Sequence, residues 1–396
     1  MTFETSIFSK QNTQAPIRLD LFCKVVDNFG DIGICWRLSK QFASEYAIAV
    51  QLWVDDLASF KRLCPQVSLD QECQVVEQIT VRHWKNQAQT FSPSDIADIV
   101  IEFFACDIPP DYIATMATLT RKPIWLNLEG LTAETWVEGC HRLPSSHPQY
   151  PLTKYFYYPG FTDQTGGLIC EARLETNRQI FLMRESELEH PFLRGLGLSS
   201  TEIKASKVSL FCYPHAPVSD LIQAWCNSSS PVVCLVPEGV AQTALTAFFG
   251  ATPEVGMSKT VNALTLRVIP FLDQENYDHL LWLCDVNFVR GEDSFVRAQW
   301  ACKPFVWHIY PQDENLHHKK LAAFLDRHRT IDPAESDFSL AWNAVQVCPD
   351  WDKLWRNYEQ QREATPALVE QWRRQMMLNG DFSRNLFDFV GELRKK

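Results

Sequence analysis

The chain has 396 residues, 46% of them hydrophobic and 12% aromatic, which is too long for one ordinary core and apolar enough to build two. Its formal net charge of -11 at pH 7 excludes a general affinity for nucleic acid or an anionic membrane, because binding a phosphate backbone needs a basic surface; any phosphate ligand must be held by a local device. No run of about eighteen uncharged apolar residues occurs, and MTFETSIFSKQNTQAPIR lacks a basic start followed by an apolar stretch, so neither a membrane span nor a signal peptide is predicted and the chain is expected to be cytoplasmic.

Leu19 to Val25 is an apolar, β-branched and aromatic run, VDNFGDIG supplies turn chemistry, and ICWRLSKQFASEY carries apolar residues at helical spacing: strand, loop, helix. AVQLWVDD, ADIVIEFFAC and KPIWLNLEG continue as strands, with ASFKRLCPQ a short helix. Alternation of this kind predicts a parallel sheet covered by helices on both faces. Residues 171–206, containing RLETNR and RESELEHP, read as a solvated connection because of their charge. A second series starts at KVSLFCY and runs through SDLIQAWCN, PVVCLVP, LTLRVIPF, NYDHLLWLC, DVNFVR, SFVRAQWAC and PFVWHIY. After PQDENLHHKK the pattern is helical and rich in tryptophan, ending in the amphipathic SRNLFDFVGELRKK. Thirteen cysteines lie between Cys23 and Cys348 with no Cys-x-x-Cys pair, several of them in apolar runs, and read as reduced thiols in cores.

The fold class expected is therefore α/β, with two facing doubly wound (Rossmann-like) domains, a cleft between them as the ligand site, and a helical tail. The predicted division is 1–180, 181–375 and 376–396, the last helix packing back on the first domain.

In an open α/β sheet, ligands bind beyond the carboxyl ends of the strands, where Asp27, Asn28, Gly30, Asp31 and Gly33 sit after the first strand. Two carboxylates four residues apart suit acid/base work or the grip of a cation; equally, one of them caps the helix while the glycines merely permit the turn. The loop fails the G-x-G-x-x-G pattern, so a dinucleotide fingerprint is absent. The second constellation, Arg290-Gly291-Glu292-Asp293-Ser294, joins an apolar strand to a helix whose amino terminus would point into the cleft. Unpaired amides, the positive dipole end and the Ser294 hydroxyl make an anion site there. Glu292 and Asp293 either cap that helix or grip sugar hydroxyls and a cationic acceptor. Phe271, Gln274 and Tyr277 follow a strand and offer aromatic faces and an amide to a nucleobase, or simply belong to the core. No metal site is predicted: His317-His318 and Asp350-Trp351-Asp352 read as surface.

VVDNFGDIG with WRL, together with VRGEDSFVRAQWACKPFVWHIYPQDEN, resembles the EarP family, protein-arginine rhamnosyltransferases that modify bacterial elongation factor P. IEFFACDIP, PIWLNLEGL, YFYYPGF and TGGLI extend the resemblance over most of residues 18 to 325. It implies a GT-B-type glycosyltransferase, dTDP-β-L-rhamnose as donor, inversion at the anomeric carbon, no cofactor or metal, and elongation factor P as the partner. It further implies Asp27, Asp31 and Glu292 as catalytic residues, Asp31 being the general base, and Tyr213, Phe271, Gln274, Tyr277, Asp293 and Ser294 as donor-binding residues. Three rival readings remain at this level: a GT-B transferase with another nucleotide sugar and a small-molecule or lipid acceptor, a non-enzymatic nucleotide-sensing module that binds a translation factor, and a dehydrogenase.

Overall fold

A computed structural model describes residues 16–27, 29–85, 90–328, 333–345, 349–361 and 365–395, so Asn28 and Cys348 lie outside the described residues. The first domain runs β1 (Arg18–Cys23), α1 (Gly30–Tyr46), β2 (Ala49–Val54), α2 (Leu57–Leu63), β3 (Cys73–Val76), β4 (Ile79–His83) and β5 (Ile99–Phe103). It continues with α3 (Pro110–Thr118), β6 (Ile124–Leu128), α4 (Trp136–Cys140), β7 (Pro144–Ser146) and β8 (Thr153–Tyr157). Its eight strands lie in the order β3-β4-β2-β1-β5-β6-β8-β7. Only the edge pairs β3/β4 and β7/β8 are antiparallel. Central β1 is buried on both faces, including Asp20, whose Oδ2 accepts the Tyr112 hydroxyl at 2.7 Å.

The connection is helical: α5 (Leu174–Glu187), α6 (Pro191–Gly195) and α7 (Ser200–Lys204). This corrects the expectation of a solvated linker over 171–206, because several of its charges are structural. Buried Glu185 accepts the amides of Phe192 and Leu193 at 3.1 Å and so caps α6. Residue 180 falls inside α5.

The second domain comprises β9 (Ser206–Leu210), α8 (Val218–Cys226), β10 (Val232–Pro237), α9 (Gln242–Phe249), β11 (Ser258–Val261) and β12 (Leu264–Ile269). It is completed by α10 (Gln274–Leu283), β13 (Val286–Arg290), α11 (Asp293–Ala301) and β14 (Phe305–His308), giving the order β11-β12-β10-β9-β13-β14 with only β11 antiparallel. The tail holds α12 (Leu316–His328), α13 (Pro333–Trp342), α14 (Trp351–Gln361), α15 (Thr365–Leu378) and α16 (Phe382–Arg394). Trp342 and Trp355 pack edge-on against Phe288 and Trp225 of the second domain. By contrast, α16 lays Phe387 on Phe42 and Phe389 on Tyr155, so the last helix belongs to the wall of the first domain.

In each sheet the chain winds outward in both directions from a central pair, β1/β5 and β9/β13. The loops after these strands diverge to opposite faces and leave a crevice at the switch point. The two crevices face each other, and one apolar cluster runs through both domains, from Leu21 and Phe103 to Val289 and Phe295. Most described cysteines are buried free thiols. No helix among the described residues is long and apolar enough to cross a membrane.

Candidate active site

Asp27 stands where the two switch points meet. Its Oδ2 accepts the Tyr213 hydroxyl from the other domain at 2.6 Å. Burial raises its pKa, opposed by the bond from Tyr213 and by the charge of Arg290. Two glycines frame the carboxylate. A Cβ on Gly30 would come within 2.7 Å of Asp27 Oδ2; one on Gly291 would lie 3.0 Å from that oxygen and 3.2 Å from the Tyr213 hydroxyl. Gly291 also has φ of +64°, so the backbone conformation and the crowding at this position both favour glycine.

Asp31, in the first turn of α1, turns its Oδ2 back to the amides of Val26 and Asp27, at 2.7 and 2.9 Å. It therefore shapes the loop that presents Asp27. Burial raises its pKa to about 6 against the pull of those two amides, and the charges of Asp27 and Glu292 add to the rise. Glu292 closes the group: Oε2 accepts the Leu131 amide of the first domain at 2.8 Å, and Oε1 pairs with Lys320 at 2.8 Å.

Two cavities share Asp27 and Gly30 on their common wall. The first, about 570 Å³, is lined by Phe29, Phe211, Phe271, Gln274, Tyr277 and Ser294, among others. Here Gln274 bridges the domains by donating to the Gly33 carbonyl at 2.7 Å, and its buried Oε1 has no hydrogen-bond partner. Arg290 sits in an aromatic cage, 4.3 Å from the Phe211 ring centre and 4.9 Å from that of Tyr213. The amino terminus of α11 opens into this cavity at Asp293 and Ser294. The second cavity, about 970 Å³, carries Asp31, Glu129, Glu292 and Lys320 with the half-exposed Phe104 and Tyr310.

All nine residues singled out from sequence thus converge on this cleft, although several are spent on protein contacts. Ser294 bridges the backbone of Arg290, donating to its carbonyl and accepting its amide. Asp293 is held by Arg37 of α1, with Nε at 2.9 Å and Nη2 at 3.2 Å, which offsets a negative charge placed at an anion-binding helix end. Arg37 is one corner of a buried ion network with Asp278, Arg297 and Glu171 that crosses the domain interface. Gly33 serves this interface, since a Cβ there would meet Gln274 at 3.4 Å and Asp293 at 3.5 Å. Tyr213 does not line the first cavity; it reaches Asp27 instead. His317, expected at the surface, is buried and its Nδ1 accepts the Gln312 amide at 3.1 Å. Arg37, Glu129 and Lys320 were not singled out, and Arg290 was named in its constellation without a role; Glu129 had a positional signal, at the carboxyl end of a central strand. Among the described residues no group of three or more His, Cys, Asp or Glu has the arrangement of a metal site.

Residues 19–391 match the profile of the family described as Elongation-Factor P (EF-P) rhamnosyltransferase EarP. A protein-arginine rhamnosyltransferase of Pseudomonas putida is 42% identical over 373 residues, covering 93% of this chain and 97% of the relative. A solved structure described as the structural basis for EarP-mediated arginine glycosylation of translation elongation factor EF-P aligns with a TM-score of 0.65 at 29% identity, covering 95% of this chain and 99% of that one. The kitacinnamycin glycosyltransferase shares only the fold, with a TM-score of 0.52 at 11% identity over 96% of this chain and 99% of its own. With a GT-B glycosyltransferase fold, a cleft built from both switch points, and a family match spanning nearly its whole length, the chain belongs to the EarP family of rhamnosyltransferases.

Proposed function

We propose that the protein transfers L-rhamnose from dTDP-β-L-rhamnose to an arginine of translation elongation factor P, with inversion at the anomeric carbon and no metal ion, in the cytoplasm. The observation that carries this reading is the position of Asp27, on the wall between a cavity that ends at a helix amino terminus and one rimmed by carboxylates. The P. putida relative's name and the family's description support the acceptor.

In the first cavity the thymine base lies among Phe271, Tyr277 and Gln274, whose free Oε1 is an acceptor for the base N3–H. The diphosphate meets the first-turn amides of α11, with Asp293 and Ser294 holding that turn in shape, and Arg290 supplies fixed positive charge. These groups do the work that a divalent ion performs elsewhere.

The acceptor guanidinium enters the second cavity. With a pKa above about 12 it is a delocalised and poor nucleophile. Asp27, Asp31 and Glu292 hold it, localise its lone pair, and align one nitrogen with C1. As the N–C1 bond forms, the C1–O bond breaks, its electron pair leaves with the diphosphate, and Asp31 takes the proton late. A carboxylate whose pKa lies near 6 suits that transfer better than an ordinary one. The Tyr213 hydroxyl holds Asp27 at the sugar.

Intact-mass spectrometry of elongation factor P co-expressed with this chain tests the reading. A deoxyhexose-sized increment, absent when the acceptor arginine is replaced by lysine, is the expected result; no increment, or one on the lysine form, would refute it.

A further inference from the structure

His308, at the end of β14, is fully buried, carries two ring hydrogen bonds, and plays no part in the chemistry above. Its Nδ1 accepts the Tyr213 amide at 3.2 Å, and its Nε2 meets His215 Nε2 at 3.1 Å. Its carbonyl accepts the amide of Gly291 at 3.3 Å. One residue therefore holds both strand ends of the second switch point, Tyr213 after β9 and Gly291 after β13. Tyr213 donates to Asp27, and Gly291 lies beside it, where an added Cβ would come within 3.0 Å of Oδ2.

The hydrogen-bond pattern dictates the tautomer. A backbone amide only donates, so Nδ1 must be bare and the ring proton must sit on Nε2, donating to a neutral His215. An imidazolium could not accept the Tyr213 amide. Burial, with Arg290, His215 and His317 nearby, pushes the His308 pKa down to about 3, which keeps the accepting form. The ring also packs 5.3 Å from the Tyr213 ring and 5.7 Å from Trp342, which leaves it little room to rotate.

We propose that His308 is a positioning residue for the transfer reaction: its bare Nδ1 and its carbonyl fix the two loops that aim the Tyr213 hydroxyl at Asp27, and His215 accepts the hydrogen bond of the remaining ring proton. The proposal rests on the reading of Asp27 as a carboxylate of the reacting site. Loss of the Tyr213 bond frees Asp27 to rotate and removes a donor that favours its charged form.

The test uses the full chain with Tyr213→Phe, His308→Leu, His308→Asn and the double variant Tyr213→Phe/His308→Leu. Turnover on elongation factor P is measured alongside donor affinity by calorimetry. Tyr213→Phe and His308→Leu should each lower kcat about tenfold, the worth of one hydrogen bond to a charged group, with donor Kd within about twofold of wild type. The double variant should be no slower than the slower single. His308→Asn, whose Oδ1 branches from the same carbon as Nδ1, should retain more turnover than His308→Leu, although leucine fills an apolar site better. Additive losses, or leucine outperforming asparagine, would overturn the proposal. Full turnover in Asp27→Asn would overturn the reading of the site instead, and this proposal with it. Independently of any activity, nitrogen NMR of histidine-labelled protein at neutral pH should show His308 protonated on Nε2 alone, and the opposite tautomer or a charged ring would refute the assignment.

Discussion

Asp31→Asn separates a proton acceptor from a structural cap, because the two roles predict opposite changes in stability at neutral pH. The asparagine keeps the shape and an acceptor for the Val26 and Asp27 amides but removes the charge. Asp31 is raised from an ordinary value of 3.8 to about 6, so its ionisation at pH 7 costs the folded state stability. The gap amounts to about 3 kcal/mol, at about 1.4 kcal/mol for each tenfold change in proton affinity. The asparagine is neutral like the protonated acid and escapes that cost, which already includes the pull of the two amides, leaving the variant about 3 kcal/mol more stable at pH 7. The sign follows from linkage. A carboxyl whose folded pKa lies above its unfolded one binds more protons when folded, so wild type regains this stability as pH falls through 6 towards 3.8 and the advantage of the variant fades over the same window. Urea unfolding at pH 7 and pH 4, with single-turnover rates at pH 7, measures both effects. Turnover should fall by about a hundredfold to ten-thousandfold while donor affinity holds. Near-wild-type turnover in a folded Asp31→Asn protein would remove Asp31 from the mechanism, and a loss of stability at pH 7 would show that its charge serves the fold.

Wild-type turnover should fall as pH drops through about 6, where Asp31 takes up its proton; a flat single-turnover profile between about pH 5 and 7 would contradict that. Arg37→Met strands the carboxylate of Asp293, while Asp278 keeps Arg297, and should cost about 3 to 5 kcal/mol, part of which Asp293→Asn in the same chain should restore, as read from urea midpoints. Ser294→Ala breaks the bridge across the Arg290 backbone and should weaken donor binding by about 1 to 2 kcal/mol in calorimetry. EDTA should leave transfer intact, and an activity lost to EDTA and restored by magnesium or manganese would overturn the assignment of leaving-group stabilisation to α11 and Arg290.

The strand-loop-helix units were legible because their signals are local. Apolar runs such as LFC and VVCLV, punctuated by Asp27, Gly30 and Gly291, mark strand ends without knowledge of any partner. What each polar residue does there was not legible. Arg37 reads as one more cation on an amphipathic helix, yet its partners Asp278 and Asp293 lie 241 and 256 residues away. Ser294 and Asp293 were assigned directly to the donor, and their own short contacts with Arg290 and Arg37 could only emerge from packing. The charge of residues 171–206 concealed three helices, because a cap such as Glu185 and a solvated glutamate look the same in sequence. His308 lay inside the quoted run PFVWHIY as an apparent strand residue; nothing local marks a histidine whose two nitrogens hold a loop from 95 residues upstream.

The return of α16 to the first domain separates the order of synthesis from the order of completion. Leu386, Phe389 and Val390 join the same core as Leu19 and Leu21 of β1, so the first sheet leaves the ribosome with part of its covering layer still unmade. The second sheet, β9 to β14, emerges and can pair its strands in that interval. Until residues 382–394 follow, the surface of the first domain that receives Phe387, around Phe42 and Tyr46, is an uncovered aromatic patch on the nascent chain. A truncation that removes residues 382–394 leaves the same patch uncovered in the finished fold.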